Sequence, residues 1–216
     1  ERAPVILQAG PGCRAHTPLS VLGAMFRHLA EAASVPVVAH LDHGYTLADC
    51  RAALEAGFTS VMVDGSGLPL QQNIDLTAAV AELAHAAGAS CEGEIGYVGY
   101  AGGAASDRTD PAEAARFAQA TGIDAMAISI GNVHLQATPG DGLDLAQLRA
   151  IEAVTRVPLV IHGGSGVSMA SRRALASGSR IAKINIGTEL RMAFGNALRD
   201  SLACDPGQFD RIAILK

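Results

Sequence analysis

Tryptophan is absent from the chain, and five phenylalanines and three tyrosines bring aromatics to only 4%. So few rings exclude a base-stacking surface for single-stranded nucleic acid and require an aliphatic core. Charge is also sparse: charged residues are 17%, and 16 Lys+Arg stand against 21 Asp+Glu, a formal net charge of −5. That balance excludes a broad basic footprint for a nucleic acid. It leaves room for a small anionic ligand, which a metal or a helix N-terminus can hold on an acidic protein. No apolar run approaches the ~18 residues of a membrane span, and the opening Glu1-Arg2-Ala3-Pro4 does not read as a secretory signal. The four cysteines (Cys13, Cys50, Cys91, Cys204) are far apart and form no CxxC. They read as reduced thiols of a cytoplasmic protein.

Aliphatic residues are abundant instead. Hydrophobic residues make up 49% of 216 positions, a globular composition sized for one domain. No linker-like stretch divides it, so 1–216 is read as a single domain. Short apolar runs at 4–8, 35–42, 59–64, 89–95, 124–130, 157–161 and 181–186 read as strands. Longer Ala-rich segments at 19–33, 46–56, 73–87, 110–121, 144–155, 168–177 and 188–203 read as helices. Thr46 and Thr188 are predicted N-caps, and Asp110-Pro111 places proline at a first helical position. Continuous apolar strands alternating with helices predict an α/β fold with a buried parallel sheet, either a (β/α)8 barrel or a doubly wound sheet. The Gly-rich segment 96–107 reads as a mobile loop at the active site.

Reactive residue types gather where these strands end. Asp42 and His43 close one strand, Asp64 the next, Glu92 and Glu94 the next; Asn132 and His134 follow another, His162 another, and Asn185 lies in the last. Parallel barrels assemble their sites at this face, where residues distant in sequence converge. Three imidazoles with an open position make a common catalytic zinc arrangement, and His43, His134 and His162 are the strand-end histidines. His16, His28 and His85 fall on loop or helix and read as surface residues. His40 is three residues from His43; a side-chain period of 2 puts them on opposite faces, so His40 reads as structural. His162-Gly163-Gly164-Ser165-Gly166 and Lys183-Ile184-Asn185-Ile186-Gly187-Thr188-Glu189 each join a strand to a helix. Glycine turns there let backbone N–H groups approach an anion, though glycines also serve tight turns alone.

Together with His40-Leu41-Asp42-His43-Gly44, the run 56–64 ending at Asp64, Glu92-Gly93-Glu94-Ile95-Gly96 and Gly131-Asn132-Val133-His134, these segments occur in an order and spacing that resembles the class II, zinc-dependent fructose- and tagatose-bisphosphate aldolases over nearly the whole chain. The resemblance implies a (β/α)8 TIM barrel whose first βα unit precedes the strand at 4–8. It implies one catalytic Zn2+ on His43, His134 and His162, and an additional monovalent or divalent cation at an inner position near Asp64 and Glu94. Asp42 matches the acid/base on the C4 hydroxyl, and Asn185 the residue that holds the enediolate. Gly163, Ser165, Gly187 and Thr188 match the phosphate cradle. The implied activity is reversible cleavage of a ketose (bis)phosphate to dihydroxyacetone phosphate and an aldehyde, within glycolysis or related carbohydrate metabolism, by a cytoplasmic homodimer or homotetramer with neither nucleic-acid nor membrane partner. Lys183 would signal Schiff-base chemistry only if it faced the site. The chain departs from the family pattern in three places. The loop at 99–107 is nearly without carboxylates, leaving Asp107 as the C3 proton-donor candidate; Leu135 replaces the glycine after the second zinc histidine; and Gly10-Pro11-Gly12 replaces a phosphate-contacting serine. A non-catalytic metal- and phosphate-binding relative, or another metal-dependent barrel lyase or hydrolase, are the competing expectations.

Overall fold

The computed structural model describes residues 3–140 and 142–215. Seven strands form one parallel sheet in chain order: β1 (Val5–Ala9), β2 (Val37–Gly44), β3 (Ser60–Val63), β4 (Ser90–Ile95), β5 (Ala125–Ile128), β6 (Leu159–Ile161) and β7 (Ile181–Ile184). Helices α1 (Pro11–His16) and α2 (Leu19–Ala32) follow β1, and α3 (Leu47–Glu55), α4 (Leu70–Ala86), α5 (Pro111–Thr121), α6 (Leu145–Val154) and α7 (Met169–Gly178) cross between the later strands. The chain then continues through α8 (Thr188–Cys204) and α9 (Arg211–Ile214). Local chemistry sets many of these boundaries. Thr46 Oγ1 accepts from Asp49 N while the Asp49 carboxylate accepts from Thr46 N, a reciprocal capping box that starts α3. Asp110 caps α5, with Pro111 at its first position.

The curl of the sheet positions the site. Neighbouring strands lie about 4.8 Å apart, so β2 and β7, five places apart in the sheet, would be about 24 Å apart if it were flat. Instead Asn185 Nδ2, just past β7, donates to Asp42 Oδ1 on β2 at 3.1 Å, and Lys183 Nζ on β7 lies 3.1 Å from His40 Nε2 on β2. The sheet is therefore rolled around an interior that β2, β4 and β7 share. Among the described residues β1 and β7 do not pair, so the expected barrel is observed as a seven-stranded, incompletely closed wall. The core is aliphatic as composition requires: Leu41, Met126, Ile128, Ile151, Leu159 and Ile161 are fully buried, with Phe117 the largest side chain among them. No helix among the described residues is long and apolar enough to cross a membrane.

Several expected boundaries move. The short helices α1 and α9 carry no periodic apolar pattern and were not expected. α4 begins at Leu70, before the anticipated 73. Thr188 is the first residue of α8, not its cap; Gly187 holds the cap position without a side-chain bond. β2 runs on to Gly44, so Asp42 and His43 lie inside the strand. A register shift between Leu41 and Gly44 interrupts it there, and His43 adopts a left-handed φ of 54°. The irregularity breaks the period-2 alternation, so His40 and His43 are not on opposite faces: both side chains meet the polar interior.

Candidate active site

Three imidazoles converge at the strand ends. The His43 and His162 ring centroids are 4.8 Å apart, His43 and His134 5.3 Å, and His134 and His162 5.7 Å. Their candidate ligand atoms all lie within 4.8 Å of one another. Each ring is held from behind. His43 owes its direction to the left-handed backbone, which costs a non-glycine residue about 1–2 kcal/mol. Arg14 Nη2 clamps its carbonyl at 2.6 Å, and Asp64 Oδ2 binds its Nδ1 at 2.8 Å. Nε2 is thus the remaining ring nitrogen. His134 follows β5; its backbone bonds Gly99 and Ala101, and its ring stacks on Tyr100 at 4.9 Å. His162 follows β6, is fully buried, and has Glu92 Oε1 at 2.9 Å from Nε2.

The other side of this cluster is carboxylate. On β4, Glu92 and Glu94 are two residues apart and both project into the interior, where they meet His162. Gly93 between them faces outward, where a Cβ would lie 2.9 Å from Phe117. Glu94 Oε2 sits 3.3 Å from His162 Nδ1, and neither atom has a hydrogen-bond partner. Burial, helped by the Asp64 charge, raises the Glu94 carboxyl to about 7. Burial and the charges of the two other histidines lower His134 to about 4. Burial would lower His43 too, but the Asp64 hydrogen bond and the Asp42 and Glu94 charges outweigh it and raise it to about 9. A second grouping, His43 with Asp64 and Glu94, also has the spacing for a metal ion. The unpartnered Glu94 Oε2 and His162 Nδ1, with one nitrogen each from His43 and His134, form a donor set that fits a borderline cation such as zinc.

A cavity of about 790 Å3 opens beside the cluster, lined by Asp42, His43, His134, Gly163, Ser165, Asn185, Gly187 and Thr188. The structure thus brings these predicted residues to one wall; His162, Asp64 and Glu94 lie behind it. Burial would raise the Asp42 carboxyl, but the charges of His43, His162 and Lys183 overcome this and hold it below the ordinary carboxylate range. Asn185 donates to Asp42, and its own Oδ1 is buried without a partner. Gly163 has φ 65°, and a Cβ there would stand 2.2 Å from Val133 O, so no other residue fits this turn. Ser165 Oγ accepts from Glu189 N in the first turn of α8, fastening the two glycine turns together. Leu135, exposed and at φ 59°, lines the same cavity, as does Gly10, where a Cβ would lie 3.2 Å from Asp42 Oδ2.

Some residues fall elsewhere. Asp107 is held in an antiparallel bridge with Tyr97 and is not among the described residues lining the cavity. Lys183 does not line it either: its ammonium is tied to Glu92 Oε2 at 2.7 Å. His40 is buried against Ser60 and Lys183, as a structural residue should be, and His16 and His85 stand apart from the cluster. Sequence reasoning missed Arg191, whose Nη2 donates to Thr188 Oγ1 at the cavity wall, although its i+3 spacing from Thr188 was a usable signal. It also missed Tyr45 and Cys13 on the same wall, which Tyr100 shares.

Comparison with known proteins agrees with this geometry. The family model described as fructose-bisphosphate aldolase class-II matches residues 1–216. The chain is 38% identical over 218 residues to a fructose-bisphosphate aldolase of Geobacillus stearothermophilus, covering 97% of this chain and 75% of that protein. It is 40% identical over 204 residues to a 6-phospho-5-dehydro-2-deoxy-D-gluconate aldolase of Shouchella clausii, covering 93% and 68% respectively. The crystal structure of the YdjI aldolase from Escherichia coli K12 superposes with a TM-score of 0.82 at 32% identity, over 99% of this chain and 75% of that one.

Proposed function

From the chain's membership of the class II fructose-bisphosphate aldolase family, we propose that it is a zinc-dependent aldolase that reversibly cleaves a ketose phosphate or bisphosphate. The products are dihydroxyacetone phosphate and an aldehyde, glyceraldehyde 3-phosphate where the substrate is fructose or tagatose 1,6-bisphosphate. One observation carries this reading: three imidazoles converge beside a cavity whose wall bears two of them, the Asp42–Asn185 pair and two glycine turns. A metal-binding relative without activity has no need of a carboxylate oriented by a neighbouring amide on the cavity wall.

His43, His134 and His162 would hold the ion, with Asp64 and Glu94 offering an inner position for the same or an additional cation. When bound, zinc supplies Lewis acidity toward the substrate carbonyl and neutralises the charge left by bond cleavage. The chain's own residues do the rest. Asp42 takes the proton of the C4 hydroxyl, and its depressed carboxyl keeps it ionised and ready. Breaking the C3–C4 bond then leaves the electron pair on the three-carbon fragment. Asn185, a residue of the cavity wall whose Oδ1 has no partner, accepts a hydrogen bond from a hydroxyl of that fragment and orients it. Gly163, Ser165, Gly187 and Thr188 receive the phosphate, and Arg191 adds a cation beside them. No Schiff base is formed, because Lys183 is held away from the cavity by Glu92.

The relatives' names span a bisphosphate and a phosphorylated sugar acid, so the aldehyde half of the substrate is the open variable. A coupled assay for dihydroxyacetone phosphate on fructose 1,6-bisphosphate, tagatose 1,6-bisphosphate and 6-phospho-5-dehydro-2-deoxygluconate, with and without a chelator, tests the proposal. Turnover of at least one, lost on chelation and restored by zinc or cobalt, is expected. Full turnover by metal-free protein overturns it. The homodimer or homotetramer, the cytoplasmic location suited to four free thiols, and the place in carbohydrate metabolism belong to the same proposal.

A further inference from the structure

A chain of five polar side chains crosses the barrel interior behind the cavity. Its donors and acceptors can be assigned one after another. The Lys183 ammonium has donors only. It faces His40 Nε2 at 3.1 Å and Glu92 Oε2 at 2.7 Å. Nε2 of His40 is therefore the acceptor nitrogen, and Nδ1 carries the hydrogen it donates to Ser60 Oγ at 2.8 Å. The second oxygen of Glu92, Oε1, accepts from His162 Nε2 at 2.9 Å. That places a ring hydrogen of His162 on Nε2, and in the neutral ring, the form that can ligate, leaves Nδ1 as a bare lone pair. Nδ1 is also the buried nitrogen without a partner, facing Glu94 Oε2.

The Glu92 and His40 side chains are 3% and 2% exposed and that of His162 is 0%, so none of these bonds exchanges readily with water. A carboxylate this deep is costly unless a cation is paired with it. Lys183 supplies the cation, and it occupies one oxygen so that the other is left for His162.

We propose that Glu92, held by Lys183, is a positioning residue for His162: the pair keeps the ring in its Nε2–H tautomer, so that Nδ1 is the nitrogen turned toward the metal. The proposal rests on the metal reading above for what His162 ligates, and on hydrogen-bond geometry for the tautomer. Ligand imidazoles commonly depend on such a carboxylate behind them, and losing it weakens metal binding by about 10–100-fold.

Two measurements test this. Long-range 1H–15N spectra of the histidine rings in the protein, with and without zinc, should show His162 protonated at Nε2 in both. A hydrogen on Nδ1 in either overturns the assignment, and this readout needs no variant to fold. Zinc affinity is then measured by competition with a chromophoric chelator. In Glu92→Gln one oxygen must serve two donors; Lys183 takes it, the amide turns its N–H toward His162, and zinc binding should weaken about 10–100-fold. In Glu92→Gln/Lys183→Met that oxygen is free for His162, so affinity should recover toward the wild-type value. Wild-type affinity in the single variant, or no recovery in the double, overturns the proposal. Failure of the metal reading is separable: the wild-type protein would then bind no zinc, while the metal-free spectra would still report the tautomer that Glu92 imposes.

Discussion

Asp42, the proposed base, is placed and charged for that role. It lies on the cavity wall, and although burial opposes it, the charges of His43 and Lys183 favour its ionised form. One oxygen is engaged by Asn185, which fixes the carboxylate's orientation. Its substitution therefore separates chemistry from metal binding. Asp42→Ala should retain metal content close to wild type while kcat/KM falls by roughly 10²–10⁴, the usual range for a lost general base. Metal analysis beside the coupled assay checks this; zinc lost along with activity would make Asp42 part of the metal's support. Leu135 shows the opposite kind of residue. It holds a left-handed backbone that glycine adopts freely, and its side chain narrows the cavity in return.

The segment between β4 and α5 matters most at the scale of elements. The Tyr97–Asp107 bridge closes it into a small hairpin, and Tyr100 pairs with His134 through backbone and ring. Its carboxylate, Asp107, is exposed, held in that bridge, and not among the described residues that line the cavity. Burial raises the Tyr100 phenol, which makes it a reluctant acid near neutral pH. Proton return to C3 should then be slower than C–C cleavage. A carbanion-trapping oxidant is expected to consume substrate faster than dihydroxyacetone phosphate is released. Exchange of the C3 proton with solvent, followed by NMR, should be slow and the same in Asp107→Asn. Faster exchange in wild type than in Asp107→Asn would return Asp107 to the reaction.

At the scale of the molecule, burial carries a pH cost away from the site. Cys50 Sγ is fully buried against the Met62 carbonyl, and burial, aided by the Asp49 charge, pushes its thiol up to about 12. Cys91 is pushed up in the same way. The unfolded thiol ionises near pH 8.5 and the folded one does not, so the unfolded chain gains stability as pH rises between the two values. Each thiol's contribution is intact below about pH 8.5 and has cost about 2 kcal/mol by pH 10. Urea midpoints should drop between neutral pH and pH 10, and Cys50→Ala should shrink that drop by about this amount. An unchanged drop in the variant would show that other groups govern alkaline stability.

The sequence by itself determined the alternation of strands and helices, the aliphatic core, the caps at Thr46 and Asp110, and the set of reactive residues at strand ends. These depend on local spacing, on turn chemistry and on which residue types water excludes, all of which are written in consecutive positions. The i, i+2 placement of Glu92 and Glu94 was legible in the same way. Only the tertiary structure decided how these residues meet. Rolling the sheet brings β2 within a hydrogen bond of β7, a contact between positions 143 residues apart that no local pattern encodes. The irregularity after Leu41 turned His43 to the interior against the strand's alternation, which a period count cannot anticipate. Lys183 shows the limit most clearly. In sequence it is a lysine near a glycine turn, and its surroundings depend on whether a carboxylate from another strand reaches it; Glu92 does, and so the ammonium is tied to that carboxylate and stays off the described cavity wall.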